Sequence, residues 1–82
     1  MIELRYFAWL RERIGADREM ISTDAATIAD LIAELRGKSD AHDLVFSNLS
    51  SVRAAVDQEL VDLDHSVQGA REIAFFPPMT GG

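Results

Sequence analysis

The final residues, Phe75-Phe76-Pro77-Pro78-Met79-Thr80-Gly81-Gly82, are the stretch of this chain best suited to chemistry. Glycine makes up about 7% of average proteins, so two terminal glycines arise by chance in roughly one chain in 200. Context strengthens the signal: Pro77 and Pro78 stiffen and extend the segment behind what reads as the last strand. Fully extended, the residues from Pro77 onward reach about 20 Å. Gly81 and Gly82 lack a Cβ, so their backbone fits a channel that excludes every other residue. The α-carboxylate of Gly82, with an ordinary pKa of about 3.3–3.7, is ionised at neutral pH. It can attack the α-phosphate of ATP, and only as an acyl-adenylate does its carbonyl become an acyl donor. A chain end without a role is the plain alternative.

Other chemistry-bearing residues form weaker patterns. Asp57, Glu59, Asp62 and Asp64 lack the glycine and bidentate-glutamate spacing of a calcium loop and read as a solvated turn. His42 and His65 have no partner histidine at i+4, and Ser47, Ser50 and Ser51 sit in no nucleophile motif, so both histidines read as surface residues. With no glycine-rich phosphate loop, any nucleotide must be held by another protein.

The elements that would position the tail follow from periodicity. Ile2, Leu4, Tyr6 and Ala8 alternate with Glu3 and Arg5 as in a half-buried strand, leaving Phe7 and Trp9 on its other face. Leu10 to Gly15 reads as a helical turn or loop leading to a second strand near Arg18 to Thr23, the pair forming an N-terminal hairpin. Ile28, Leu31, Ile32 and Leu35 recur at i, i+3, i+4 and i+7, which predicts a helix over Thr27 to Arg36. Thr27 suits its N-cap, Asp30 its positive end, and Arg36 with Gly37 its C-terminus. Lys38 to Ser51 reads as a loop holding one short helix. Val52, Ala54 and Val56 mark a third strand, returning through Leu60 to Leu63 after a break at Gln58 and Glu59. Asp64 to Gly69 is a turn, and Arg71 to Phe76 the last strand, ended by the prolines. The order predicts an α+β fold with residues 1–76 as the domain and 77–82 as a tail. If Tyr6, Val56, Val61, Ile73 and Phe75 face a helix-covered core, then Phe7, Trp9, Leu60, Ala74 and Phe76 remain on the open face. Several large apolar side chains on one open face mark a partner surface.

Composition narrows the function classes. The chain has 82 residues, 48% of them hydrophobic, enough for one small domain. Its net charge of −6 includes no basic run, which argues against nucleic acid and anionic membrane as partners. Zero cysteines remove disulfides, thiolate metal sites and cysteine nucleophiles. The early apolar run from Tyr6 to Leu10 is too short for a secretory or membrane-spanning segment, so a cytoplasmic location is expected.

Phe7-Ala8-Trp9-Leu10-Arg11-Glu12, Val56-Asp57-Gln58-Glu59, Asp64-His65 and Glu72-Ile73-Ala74 running into the Phe-Phe-Pro-Pro-x-x-Gly-Gly ending together span essentially the whole sequence. In these the chain resembles the small subunits of molybdopterin synthase, and the ending separates that family from the thiamine-pathway sulfur carriers and from ubiquitin. Departures are Trp9 in place of a smaller or polar residue, Asp57 where asparagine is common, and Met79-Thr80 where Val-Ser or Val-Thr is typical.

The resemblance implies a β-grasp, ubiquitin-like fold and a sulfur-carrier role. It implies that Gly82, with Gly81 beside it, is adenylated by an E1-like activating enzyme that uses ATP and magnesium, and is then converted to a thiocarboxylate. Pro77, Pro78, Met79 and Thr80 would carry that end into the large synthase subunit, where sulfur passes to cyclic pyranopterin monophosphate. Catalytic side chains are expected on the large subunit, in a hetero-oligomer built on its dimer, and this chain is expected to bind no cofactor or metal of its own. On the open face, Phe7, Leu60 and Phe76 would dock both partners in turn, with Arg11 at the rim. A ubiquitin-like modifier conjugated through Gly82 and a plain interaction module are the rival readings.

Overall fold

The computed structural model describes residues 1–78. The elements are β1 (Ile2–Tyr6), α1 (Ala8–Ile14), β2 (Arg18–Ile21), α2 (Ile28–Arg36), α3 (Asp40–Val45), a short 3-10 turn (Leu49–Ser51), β3 (Arg53–Val56), β4 (Glu59–Val61) and β5 (Glu72–Phe76). One five-stranded sheet has the order β2-β1-β5-β3-β4, with β1 and β5 parallel and the other neighbours antiparallel. This is the β-grasp arrangement, a mixed sheet closed around one main helix.

Helix α2 forms where its apolar stripe predicts. Ile28, Leu31, Ile32 and Leu35 are all buried, and the Thr27 hydroxyl accepts the Asp30 N–H at 3.2 Å. Gly37, however, has φ −83, so the helix ends without a left-handed cap. The sheet contributes Leu4, Tyr6, Ala54, Ile73 and Phe75 to the core, and Val45, Phe46 and Val52 close it from the α3 side. Phe75 stacks on Tyr6 with ring centroids 6.1 Å apart and meets Phe46 edge-on at 5.0 Å.

Further sequence expectations are corrected. Strand β1 ends at Tyr6, because Phe7 stays extended while Ala8 turns to φ +54, and the chain enters α1 at once. Trp9 therefore lies on α1, packed against the core rather than on the open sheet face. Ala74 does lie on the open side, but its methyl group is short enough for flanking strands to cover, and it is 8% exposed. His42 is buried at 5% exposure rather than at the surface.

The burial of His42 is explained by its partners. Its Nδ1 lies 2.6 Å from the Ser39 hydroxyl and its Nε2 2.8 Å from Glu19 Oε1, which also accepts the Tyr6 hydroxyl at 2.8 Å. Every polar atom of the ring is thus matched, as burial requires. Burial opposes the charge on Glu19, but the hydrogen bonds from His42 and Tyr6 and the positive charge of His42 and Lys38 prevail, holding its carboxyl below the usual range. Burial first, and the adjoining carboxylate second, push the Tyr6 phenol far up.

Candidate functional site

The open face of the sheet is organised by one row of residues that crosses every strand. Arg18 on β2 stands opposite Arg5 on β1, Arg5 opposite Ala74 on β5, Ala74 opposite Ala55 on β3, and Ala55 opposite Leu60 on β4. Two cations thus hold one end, two small side chains the centre, and a leucine that is 66% exposed the other end. The next row toward the strand ends carries Phe76 opposite Arg53, with Phe7 just beyond β1. The Phe7 N–H donates to the Phe75 carbonyl at 3.1 Å, which fixes Phe7 beside the end of β5. Phe7 is 39% exposed, and its ring centroid lies 5.3 Å from the Arg5 guanidinium carbon.

Of the predicted docking residues, Phe7, Leu60 and Phe76 share this open face. Arg11 is exposed on α1, where its carbonyl accepts the N–H of Gly15 at 2.9 Å as that glycine ends the helix at φ +87. Pro77 and Pro78 continue from β5 and are half-buried. Met79, Thr80, Gly81 and Gly82 lie outside the described residues.

The strand that carries the tail is held at its other end by the β3–β4 turn. Asp57 and Gln58 adopt φ +49 and +73, the paired left-handed conformation of a tight hairpin turn. The Asp57 carboxylate accepts the Arg71 and Glu72 N–H groups at 3.0 and 2.9 Å, while its own N–H donates to the Glu72 carbonyl at 2.9 Å. The carboxylate stretch around Asp57 thus has a structural use at its first member. Among the described residues, no group of three His, Asp or Glu side chains is arranged to hold a metal ion, and no helix is long and apolar enough to cross a membrane.

Sequence reasoning missed Arg5 and Arg18. The alternation that places Phe7 on the open face also places Arg5 there, and the register that adds Arg18 depends on how β1 and β2 pair.

Residues 4–82 match the model of the ThiS family. The chain is 38% identical over its whole length, and the whole length of the relative, to the molybdopterin synthase sulfur carrier subunit of Escherichia coli (strain K12). Among solved structures it is similar to SAMP1 from Haloferax volcanii, with 27% identity, a TM-score of 0.75, and 99% of this chain and 98% of that chain covered. It also shares its fold with a chain in the protein–protein complex of subunits 1 and 2 of molybdopterin-converting factor from Helicobacter pylori 26695. That match has 23% identity and a TM-score of 0.63, and covers 99% of this chain and 97% of that one. The chain therefore belongs to the ThiS family, alongside the molybdopterin synthase sulfur carrier subunits.

Proposed function

We propose that this chain is the sulfur carrier subunit of a molybdopterin synthase. The observation that carries the reading is its likeness, across the full length of both chains, to the E. coli sulfur carrier subunit. The Phe-Phe-Pro-Pro-x-x-Gly-Gly ending agrees with it.

The carrier chemistry is confined to the terminal carboxyl group. An E1-like activating enzyme holds ATP and magnesium, and the Gly82 carboxylate attacks the α-phosphate, releasing pyrophosphate and forming the acyl-adenylate. A sulfur donor then attacks the activated carbonyl and AMP leaves, so that a thiocarboxylate remains. The large synthase subunit accepts the tail, and the sulfur passes to cyclic pyranopterin monophosphate. Two such transfers complete the dithiolene. Acid and base side chains belong to the large subunit, whose dimer would carry two copies of this chain. Phe7, Leu60 and Phe76 supply the docking face, Arg11 a rim contact, and residues 77–82 the inserted arm. A cytoplasmic location goes with this reading.

Alkylation with iodoacetamide followed by intact-mass analysis tests it, after incubation with cell extract, ATP and a sulfur source. The chain has no cysteine to react, so one adduct that fragments to Gly82 and disappears on deletion of Gly82 is the expected result. No adduct in an extract that loads a control carrier would overturn it. Gly82-dependent conjugates to lysines of other proteins would instead favour a protein modifier.

A further inference from the structure

We propose that the Arg5–Arg18 pair receives a carboxylate-bearing segment of the large synthase subunit when it docks on the open face. The inference rests on the carrier reading above and adds the chemistry of the partner's contact patch. Directly opposed like charges on neighbouring strands destabilise a sheet, and the glutamates beside this pair offset that only in part. Each arginine is only loosely balanced: Arg5 lies 4.0 Å from Glu72 and Arg18 3.8 Å from Glu3. The Arg5 side chain is one-third exposed, and its Nε is buried without a hydrogen-bond partner. That leaves a guanidinium undersatisfied in the middle of a surface.

Position completes the case. The pair is continuous with the Ala74–Ala55 trough and Leu60 along one row, and Arg5 lies against the Phe7 ring. A partner segment that covers Phe7 and the trough lies over the Arg5 guanidinium, and Arg18 is the next residue in the same row. A planar guanidinium matches a carboxylate, which it can grip through two parallel hydrogen bonds. In a chain of net charge −6, this row is a local cluster of positive charge, although Glu3 and Glu72 flank it on the same face. An acidic partner patch is therefore drawn to this face.

The test uses the whole chain and the purified large synthase subunit from the same organism, with affinity measured by calorimetry at low and high salt. Arg5→Gln and Arg18→Gln are each expected to weaken binding about tenfold at low salt, or about 1.4 kcal/mol. They should also flatten the salt dependence and leave the melting temperature unchanged or raised. Arg5→Lys should keep the salt dependence while losing part of the affinity. Arg13→Gln, on the exposed side of α1, should match the native chain. If both Gln variants bind as the native chain does while Phe7→Ala weakens binding, the docking face stands and this proposal falls. Self-association of Arg18→Gln with unchanged partner affinity would overturn it in favour of a charge that guards the β2 edge. A native dimer that salt dissociates would overturn it in favour of a second copy. No binding by the native chain would remove this proposal together with the docking assignment, while the Gly82 alkylation would still decide the carrier reading.

Discussion

On the helix-covered face of the sheet, Leu4, Ile73 and Phe75 are 0% exposed and Tyr6 is 1% exposed, whereas on the open face Phe7 is 39% and Leu60 66% exposed. The polar groups differ in the same sense. Behind the sheet, Glu19 gathers the Tyr6 hydroxyl and the His42 ring at 2.8 Å each, while in front Arg5 and Arg18 face one another with carboxylates no closer than 3.8 Å. One face is finished by folding, and the other leaves large apolar side chains and two arginines at the surface. Mutations should therefore separate stability from affinity according to which side of the sheet they strike.

The largest effect on stability is expected at Phe75, whose truncation to alanine removes contacts with both Tyr6 and Phe46. A loss of about 3–5 kcal/mol in urea unfolding is expected. A loss below about 1 kcal/mol would mean that the core closes over the gap and is less tightly specified than its burial implies.

Glu19→Ala comes next, at about 2–3 kcal/mol, because it leaves the His42 ring and the Tyr6 hydroxyl without their shared acceptor. The sign of its pH dependence follows from the lowered Glu19 pKa. Its contribution is full above the usual carboxylate range and is lost as pH falls through the depressed value. Urea midpoints measured from neutral to acidic pH should fall less steeply for Glu19→Gln than for the native chain, and parallel curves would remove Glu19 from the acid response.

Asp57→Ala is expected to cost about 1 kcal/mol through loss of the bonds to the Arg71 and Glu72 N–H groups. Asp57→Asn, which keeps an acceptor oxygen and tolerates the left-handed backbone, should cost less. Equal losses would assign the effect to charge rather than to the hydrogen bonds.

Phe7→Ala should have the smallest effect on stability, within about 0.5 kcal/mol, while weakening binding to the large subunit by about 1–4 kcal/mol. Calorimetry beside thermal unfolding would expose the opposite pattern, stability lost and affinity kept, which would return Phe7 to the core.

What could be read from the chain was what depends on near neighbours. The stripe from Ile28 to Leu35, the Thr27 cap and the alternation of Ile73 to Phe76 are local patterns, and the structure keeps them. Phe7, Leu60 and Phe76 followed from the same alternation once the helix-covered face was assigned. Trp9 was misplaced because the strand-to-helix switch depends on a positive φ at Ala8, a conformation that alanine does not advertise. His42 was misread because its acceptor, Glu19, lies 23 residues away. The Arg5–Arg18 pairing likewise required the register of β1 on β2.

The central place of β5 has a consequence for how the molecule opens. It pairs with β1 on one side and β3 on the other, so without it only the two-stranded pieces β1–β2 and β3–β4 remain, each marginal in water. Because Glu72 must find Glu3 across most of the chain, assembly waits on distant contacts and should be slow for a domain of this size. Fraying of β5 alone has no stable end point, so its amides should exchange with deuterium only through global unfolding. The segment that leads to Gly82 is thus rooted in the strand that releases last.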